Sequence, residues 1–357
     1  MTTPGAASAS TAEQPLRVRL LCAHGQVQRV EAVWRRLPVE QLWINQPVQA
    51  IEPVLRRTLT ICVQAHIGAA RQAVLQAAGA TPDQDAEQAN DAAIRLEAAR
   101  DTLRRWLLDY PQAFGGTSGG VWPANALPGW KDIRDAATLA AYCRATIFGM
   151  AAQDWLALDG AARDAWIAAQ ATLPAQWLAQ GLAAPLRRQS LPAAADLLAW
   201  AAAHAPDLLR GGTPMFVPPH ALTDALPTQR DLPSAVLLYR LHQLARACIA
   251  GDDAREQGGL RCGDIGIGWA RTARGLLLHL ARVEQGRVSA YRILPPTLWN
   301  AAPDGIITRA LQGLAVTEAA RCAEQLLLLL DPCAPFEVTL ADDAPPSAGN
   351  NGSVRYA

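Results

Sequence analysis

The sequence predicts a mainly α-helical chain with small β elements, an α+β fold. Three observations carry that expectation. Long Ala- and Leu-rich stretches repeat apolar residues at spacings of three and four, the period of one helix face. Two short stretches alternate apolar and polar residues, the period of a half-buried strand. Clusters of Gly and Pro separate these stretches, as turns and loops require.

Residues 1–14 are small and polar and are expected to be disordered. Residues 16–22 and 26–33 flank His24-Gly25 and predict a β-hairpin. A helix is expected from about 48 to 78, interrupted near Pro53 and stopped by Gly79. Thr81-Pro82, followed by Asp83 and Asp85, signals the next helix start. Leu96, Ala99, Leu103, Trp106, Leu107 and Tyr110 give that helix its apolar face. The Gly/Pro/Trp-containing stretch 111–130 reads as a long loop, and 131–203 as a run of helices marked by Trp155, Trp166, Trp177 and Trp200.

A second non-helical break is expected at 206–233, with helix resuming at 235–250. Residues 265–294 predict two strands, 268–280 and 287–293, joined by a turn at 284–286. A last helix is expected from about 305 to 329, ending before Asp331-Pro332, where proline forbids continuation. From 341 to 357 the sequence is low in complexity and reads as a flexible tail. Residues 15–340 then form one domain.

Composition narrows the function classes. No stretch approaches the roughly 18 uncharged apolar residues of a spanning helix. The N-terminus lacks the basic and apolar regions of a secretory signal, so the expectation is a soluble cytoplasmic protein without membrane insertion. Thirty-two basic residues balance 32 acidic ones, which gives no electrostatic case for nucleic acid. Seven cysteines at irregular spacings, with no C-x-x-C pair, argue against a disulfide framework or zinc ribbon. The segment from Cys262 to Gly268 is glycine-rich but does not fit a dinucleotide fingerprint. There is no phosphate loop, no Ser-His-Asp logic and no paired-carboxylate site, so no catalytic residue is assigned.

Two segments carry chemistry. Arg57-Thr-Leu59-Thr-Ile-Cys62-Val-Gln-Ala-His66 places a thiol and an imidazole four residues apart, on one helix face. Such a pair binds a soft metal, lowers the thiol pKa, or is a buried thiol beside a satisfied histidine. Asp331-Pro-Cys333-Ala-Pro-Phe336-Glu-Val-Thr339 places a second thiol just after a helix end.

These segments resemble the two metal-binding motifs of [NiFe]-hydrogenase large subunits, R-x-C-G-x-C-x-x-x-H and D-P-C-x-x-C-x-x-H, with half the cysteines removed. Leu59 stands at the first cysteine of the first motif. Phe336 and Thr339 stand at the second cysteine and the histidine of the second. Two further blocks follow in the family's order. Arg274, Gly275 and His279 match an E-A-P-R-G segment with its following histidine. Pro296, Thr297, Trp299 and Asn300 match a V-P-[ST]-T-W-N segment. The resemblance covers roughly 15–110 and 260–340. It implies a large-subunit-like helical fold, reduced in size.

In the family, four thiolates hold nickel, and two of them bridge to an iron carrying cyanide and carbon monoxide. That set cannot be built here, so the chain resembles a non-catalytic relative of the HupK/HoxV hydrogenase-maturation type. The resemblance implies a scaffold that transiently holds the Fe(CN)2(CO) fragment, without nickel. Cys62 and Cys333 would be its metal ligands, and His66, Arg274 and Thr297 would surround it. The implied partners are hydrogenase maturation proteins and the hydrogenase large-subunit precursor. By the family's map, Cys62 is a bridging position and Cys333 a terminal nickel position. Either Cys333 shifts toward iron, or Cys62 holds iron with an outside ligand. Large subunits are cleaved after the C-terminal histidine; Thr339 implies that this chain keeps its tail. Two other readings stand beside this one: a metal-free assembly chaperone, and a thiol-redox protein using Cys62 and Cys333.

Overall fold

The computed structural model describes residues 14–114, 129–180, 186, 194–211, 232–249, 251, 254–342 and 353–355. Residues 1–13, most of the loop expected at 111–130, most of the break expected at 206–233 and most of the tail lie outside the described residues.

The chain opens with the hairpin β1 (Leu16–Ala23) and β2 (Gln26–Val33). Its turn uses His24 and Gly25, both at positive φ, the geometry that suits a tight hairpin turn. Helices α1 (Ile51–Thr58), α2 (Val63–Ala78), α3 (Gln84–Leu108) and α4 (Tyr110–Phe114) follow. The helix expected as one piece from 48 to 78 is thus two helices, and the break falls at Leu59–Cys62, not at Pro53. Pro53 sits in the first turn of α1, where its missing N–H has no intrahelical partner to lose. The chain reverses instead at Cys62, which adopts a left-handed conformation (φ 53°, ψ 30°). Gly79, also left-handed, ends α2, and Asp83 caps α3 through the Asp85 N–H at 3.1 Å.

The middle is helical as expected: α5 (Ala136–Cys143), α6 (Ala152–Leu156), α7 (Gly160–Ala169), α8 (Leu173–Gln180), α9 (Ala194–Ala203), α10 (Ala205–Leu209) and α11 (Leu232–Ala247). Pro206 does not open a non-helical break; it lies in the first turn of α10. Then come β3 (Gln257–Cys262), β4 (Ile265–Thr272), β5 (Gly275–Glu284) and β6 (Arg287–Leu294), an antiparallel meander in the order β3-β4-β5-β6. The strand expected over 268–280 is therefore two strands, because Ala273 and Arg274 turn the chain between them and Gly275 (φ 126°) opens β5 opposite Thr272. The segment α12 (Pro296–Asn300) leads to α13 (Ile306–Leu311) and α14 (Val316–Leu330). These last two were expected as one helix. Left-handed Gly313 parts them, and the connection hydrogen-bonds to the hairpin through Val27 N–H to Leu314 O at 2.9 Å.

After Asp331-Pro332, β7 (Phe336–Asp342) runs parallel to β1, giving a second sheet of order β2-β1-β7-β8. Its outer member β8 (Ser353–Arg355) is a short strand within the expected tail.

The β3–β6 sheet is covered on both faces. Ile265, Ile267, Leu276, Leu278, Leu280 and Leu294 pack with Leu197, Leu208 and Trp299 on one side. Ala270, Leu277, Ala281, Tyr291 and Ile293 pack with Trp43 and α2 on the other. Alternation along β5 thus puts Leu277, His279 and Ala281 toward α2. A larger core joins the hairpin to the helices around Trp106, Tyr110 and Trp177, whose ring centroids lie 5.3–6.2 Å apart, with Trp177 edge-on to the other two. Among the described residues no helix is long and apolar enough to cross a membrane.

One contact positions everything that follows. A Cβ placed on Gly268 would overlap the carbonyl oxygen of Ala69, and one on Gly266 would overlap that of Ala73. The glycines that fit no nucleotide motif are there so that the α2 backbone can lie directly on β4. Ala69 sits over Gly268 and Ala73 over Gly266, so helix and strand run in opposite directions. The N-terminus of α2, with Cys62, therefore lies at the Thr272 end of β4. Gly268→Ala is expected to destabilise the chain by at least about 1–3 kcal/mol, since backbone, not a movable side chain, blocks the methyl. Gly263→Ala, left-handed but with nothing within 4 Å, should lose only about 1 kcal/mol, from backbone strain. Urea unfolding of the two variants compares them, and equal losses would contradict the close docking.

Candidate functional site

A cleft of about 190 Å³ opens where α2, the β4–β5 turn, α12 and the end of α14 converge. Cys62, Cys333 and His66 line it, together with Leu59, Pro296 and Arg36. The two thiols, 271 positions apart in sequence, therefore share one cavity. All seven cysteines are free thiols.

Cys62 is 5% exposed and precedes the first turn of α2. Its side chain does not cap that helix. Glu97 of α3 does so from outside, accepting from the Gln64 N–H at 3.0 Å and the Ala65 N–H at 3.2 Å. Burial pushes the Cys62 thiol up, more than the adjacent Arg274 guanidinium pulls it down.

Arg274, 2% exposed, reaches behind Cys62 from the β4–β5 turn. One of its Nη1 hydrogens points to Cys62 Sγ at 3.0 Å, and Nη1 also donates to Asp101 at 2.7 Å. Its Nη2 lies 3.1 Å from Asp331. Burial disfavours the charge of Arg274, but Asp331, Cys62, Cys333 and Asp101 together outweigh it, and its pKa is raised. Arg274 Nε is buried without a hydrogen-bond partner among the described residues. Asp331 is fully buried and also accepts from Arg105 at 2.6 Å. Burial pushes its carboxyl up, yet Arg274, Arg105 and Arg240 hold it below the usual carboxylate range.

Thr297 lies on the short helix α12, not on a strand, and is 1% exposed. Its hydroxyl oxygen accepts from the Cys333 N–H at 2.9 Å, which leaves its own hydrogen to donate. His66 and His279 are joined by Nδ1···Nε2 at 2.9 Å, and His279 Nδ1 meets the Tyr291 hydroxyl at 2.8 Å. Burial, then Arg36 and Arg274, pull His66 down to about 3, so it is neutral. His279 is lowered likewise, by burial and then by His66.

Of the residues singled out from sequence, the structure puts Cys62, Cys333 and His66 on the cleft wall. Arg274 stands against Cys62 and Thr297 against Cys333. The two replaced cysteine positions part company. Leu59 is in the cleft wall, whereas Phe336 opens β7 opposite Leu16 and packs into the large core. Thr339 lies further along β7, paired with Arg19. Among the described residues no group of three or more His, Cys, Asp or Glu is placed to hold a metal ion. Sequence reasoning missed Glu97, Asp101 and Arg105. Their spacing was the available signal: i, i+4 and i+8 put them on one stripe of α3.

The fold is that of a [NiFe]-hydrogenase large subunit. An NAD+-reducing [NiFe]-hydrogenase solved in the H2-reduced state superposes with a TM-score of 0.50, covering 88% of this chain and 94% of that one at 13% identity. The sequence is similar to hydrogenase expression/formation proteins: 44% identical over 84 residues to HupV of Azotobacter chroococcum and to HupK of Azotobacter vinelandii. It is also 40% identical over 83 residues to HoxV of Cupriavidus necator. The matched stretch spans 24% of the length of each Azotobacter relative and 22% of HoxV. No protein-family model matches the chain.

Two predictions follow from the electrostatics. Asp331→Ala leaves Arg274 and Arg105 buried against each other, and should cost about 3–5 kcal/mol in urea unfolding; a loss below about 1 kcal/mol would show that the network is not a structural tie. His66 and His279 are held neutral when folded, while their unfolded pKa is near 6.5. Their neutral form contributes full stability above that value and loses it as pH falls, by at most about 1.4 kcal/mol per pH unit for each ring. Unfolding free energies at neutral pH and on descending from it should decline accordingly, and His66→Gln should flatten the slope.

Proposed function

We propose that this chain is a non-catalytic scaffold of [NiFe]-hydrogenase maturation. In this reading it holds an iron fragment carrying cyanide and carbon monoxide before that fragment passes to the hydrogenase large subunit. The observation that carries the reading is that two thiols, Cys62 and Cys333, line one cleft, with Leu59 at a third cysteine position in its wall and the fourth position, Phe336, withdrawn into the core. The names of the related proteins support a part in hydrogenase formation, and the fold supports likeness to the client itself.

The donor set suits such a cargo. Thiolates favour soft metals. An iron that brings its own cyanide and carbonyl ligands asks for few from the protein. Cyanide nitrogens accept hydrogen bonds, and Thr297 has a hydroxyl hydrogen to give. The buried, unpartnered Nε–H of Arg274 is a charged donor of the same kind. The cleft holds several water-sized groups. Because the Cys62 thiol is protonated in the metal-free chain, capture of the cargo releases a proton. Partners in this reading are the maturation proteins that build the fragment and the large-subunit precursor that receives it.

A second reading has its own observation. Arg274 is already held by Cys62, Asp101 and Asp331, so the site is largely satisfied without cargo, as a metal-free chaperone that mimics the large subunit would be. A thiol-redox role is the poorest fit, because Cys62 is buried and its thiol pushed up, the opposite of an activated nucleophile.

Infrared spectroscopy with iron and nickel assays decides between them, on protein purified without oxygen from a host that has the maturation machinery. The scaffold reading expects cyanide and carbonyl bands with iron and without nickel, and at least about a 10- to 100-fold loss of iron occupancy in Cys62→Ser. A featureless spectrum without iron, in a chain that still binds maturation proteins, would establish the metal-free chaperone.

A further inference from the structure

Behind His66, which lines the cleft, runs a buried polar chain that ends on Tyr291, a residue outside every motif block. His66, on α2, contacts His279 on β5, and His279 contacts Tyr291 on β6. The two strands are neighbours, and alternation puts both side chains on the face turned to α2. His279 is 0% and Tyr291 4% exposed, so solvent does not rearrange this chain of hydrogen bonds.

Hydrogen-bond bookkeeping gives the chain a direction. Among the described residues the Tyr291 hydroxyl has one hydrogen-bond partner, His279 Nδ1. The nearby Glu40 is occupied, both carboxylate oxygens accepting from Arg36. A buried O–H needs an acceptor, so Tyr291 donates to Nδ1 of His279. A neutral imidazole carries one hydrogen, so that of His279 sits on Nε2 and donates to Nδ1 of His66. The hydrogen of His66 is then on Nε2, the ring nitrogen that His279 does not use. Burial, and after it the charge of Glu40, raise the Tyr291 pKa and keep the hydroxyl protonated.

We infer that Tyr291 and His279 are positioning residues that lock His66 as a hydrogen-bond donor toward the cleft shared by Cys62 and Cys333. The site thus selects a ligand that bears an acceptor lone pair, and His66 is barred from binding metal. To ligate through Nε2, all three hydrogens would have to reverse, leaving the Tyr291 hydroxyl without an acceptor. In combination with the proposed cargo, on which this last step rests, His66 joins Thr297 and Arg274 as a donor to ligands of the iron, not a third ligand beside Cys62 and Cys333.

The test is nitrogen-15 NMR of the metal-free chain labelled in histidine, read through long-range ring correlations at neutral pH, with His66 and His279 assigned by single Gln replacements. The expected pattern is the Nε2–H tautomer for both rings. In Tyr291→Phe, His279 loses its donor and both rings should pass to mixed tautomers. Finding His66 as the Nδ1–H tautomer overturns the inference. So does an unchanged pattern in a folded Tyr291→Phe. The spectrum of the unaltered chain alone fixes the direction, so a variant that fails to fold does not shelter the idea. Since no cargo is present, this result stands or falls apart from the infrared test of the scaffold reading.

Discussion

The structure depends on how closely one helix lies on one strand. Gly266 and Gly268 leave β4 bare where the carbonyls of Ala69 and Ala73 press against it. From Ala69 back to Cys62 the helix covers about 10 Å, and from Gly268 on to Thr272 the strand covers about 13 Å. The two ends therefore finish side by side, and Arg274, just past the strand, meets Cys62. Any residue larger than glycine at these positions would lift the helix and separate the thiol from the guanidinium.

Around that junction the charges are arranged so that burial is tolerated. Arg274 would be costly to bury alone. Asp101 from α3, Asp331 from the end of α14 and the sulfur of Cys62 surround it, and Arg105 closes the network on the far side. Removing one partner strands the others, which is why such networks are rigid even when they add little net stability. Two left-handed residues, Cys62 and Asp331, sit at its two ends. Each turns the chain abruptly at a helix terminus, so that Cys62 and Cys333 enter the same cavity from opposite directions.

Much of this was legible in the residues. The hairpin, the start of α3 at Asp83 and the stop of α14 before Pro332 followed from local signals. So did the four motif blocks that nominated Cys62, His66, Arg274, Thr297 and Cys333. What was not legible depended on partners distant in sequence. The glycines of β4 read only as a glycine-rich segment that fits no dinucleotide fingerprint, because nothing local says that a helix backbone covers them. Ala273-Arg274 looked like the middle of a strand, although a turn was needed there to aim the arginine. Pro53 and Pro206 looked like breaks because proline is read as a breaker, while both occupy first turns that accept it. Glu97, Asp101 and Arg105 formed a readable i+4 stripe, but their targets on α2, the β4–β5 turn and α14 were visible only once the chain was folded.

The central claim is that the cleft holds an iron fragment in order to give it away. The direct measurement starts from chain loaded with carbon-13-labelled cyanide and carbonyl, mixed without oxygen with an iron-free hydrogenase large-subunit precursor, then separated and examined by infrared spectroscopy. The account predicts that the labelled bands leave this chain and appear in the precursor, together with iron. Labelled bands that stay with this chain, or disappear without reaching the precursor, would contradict it.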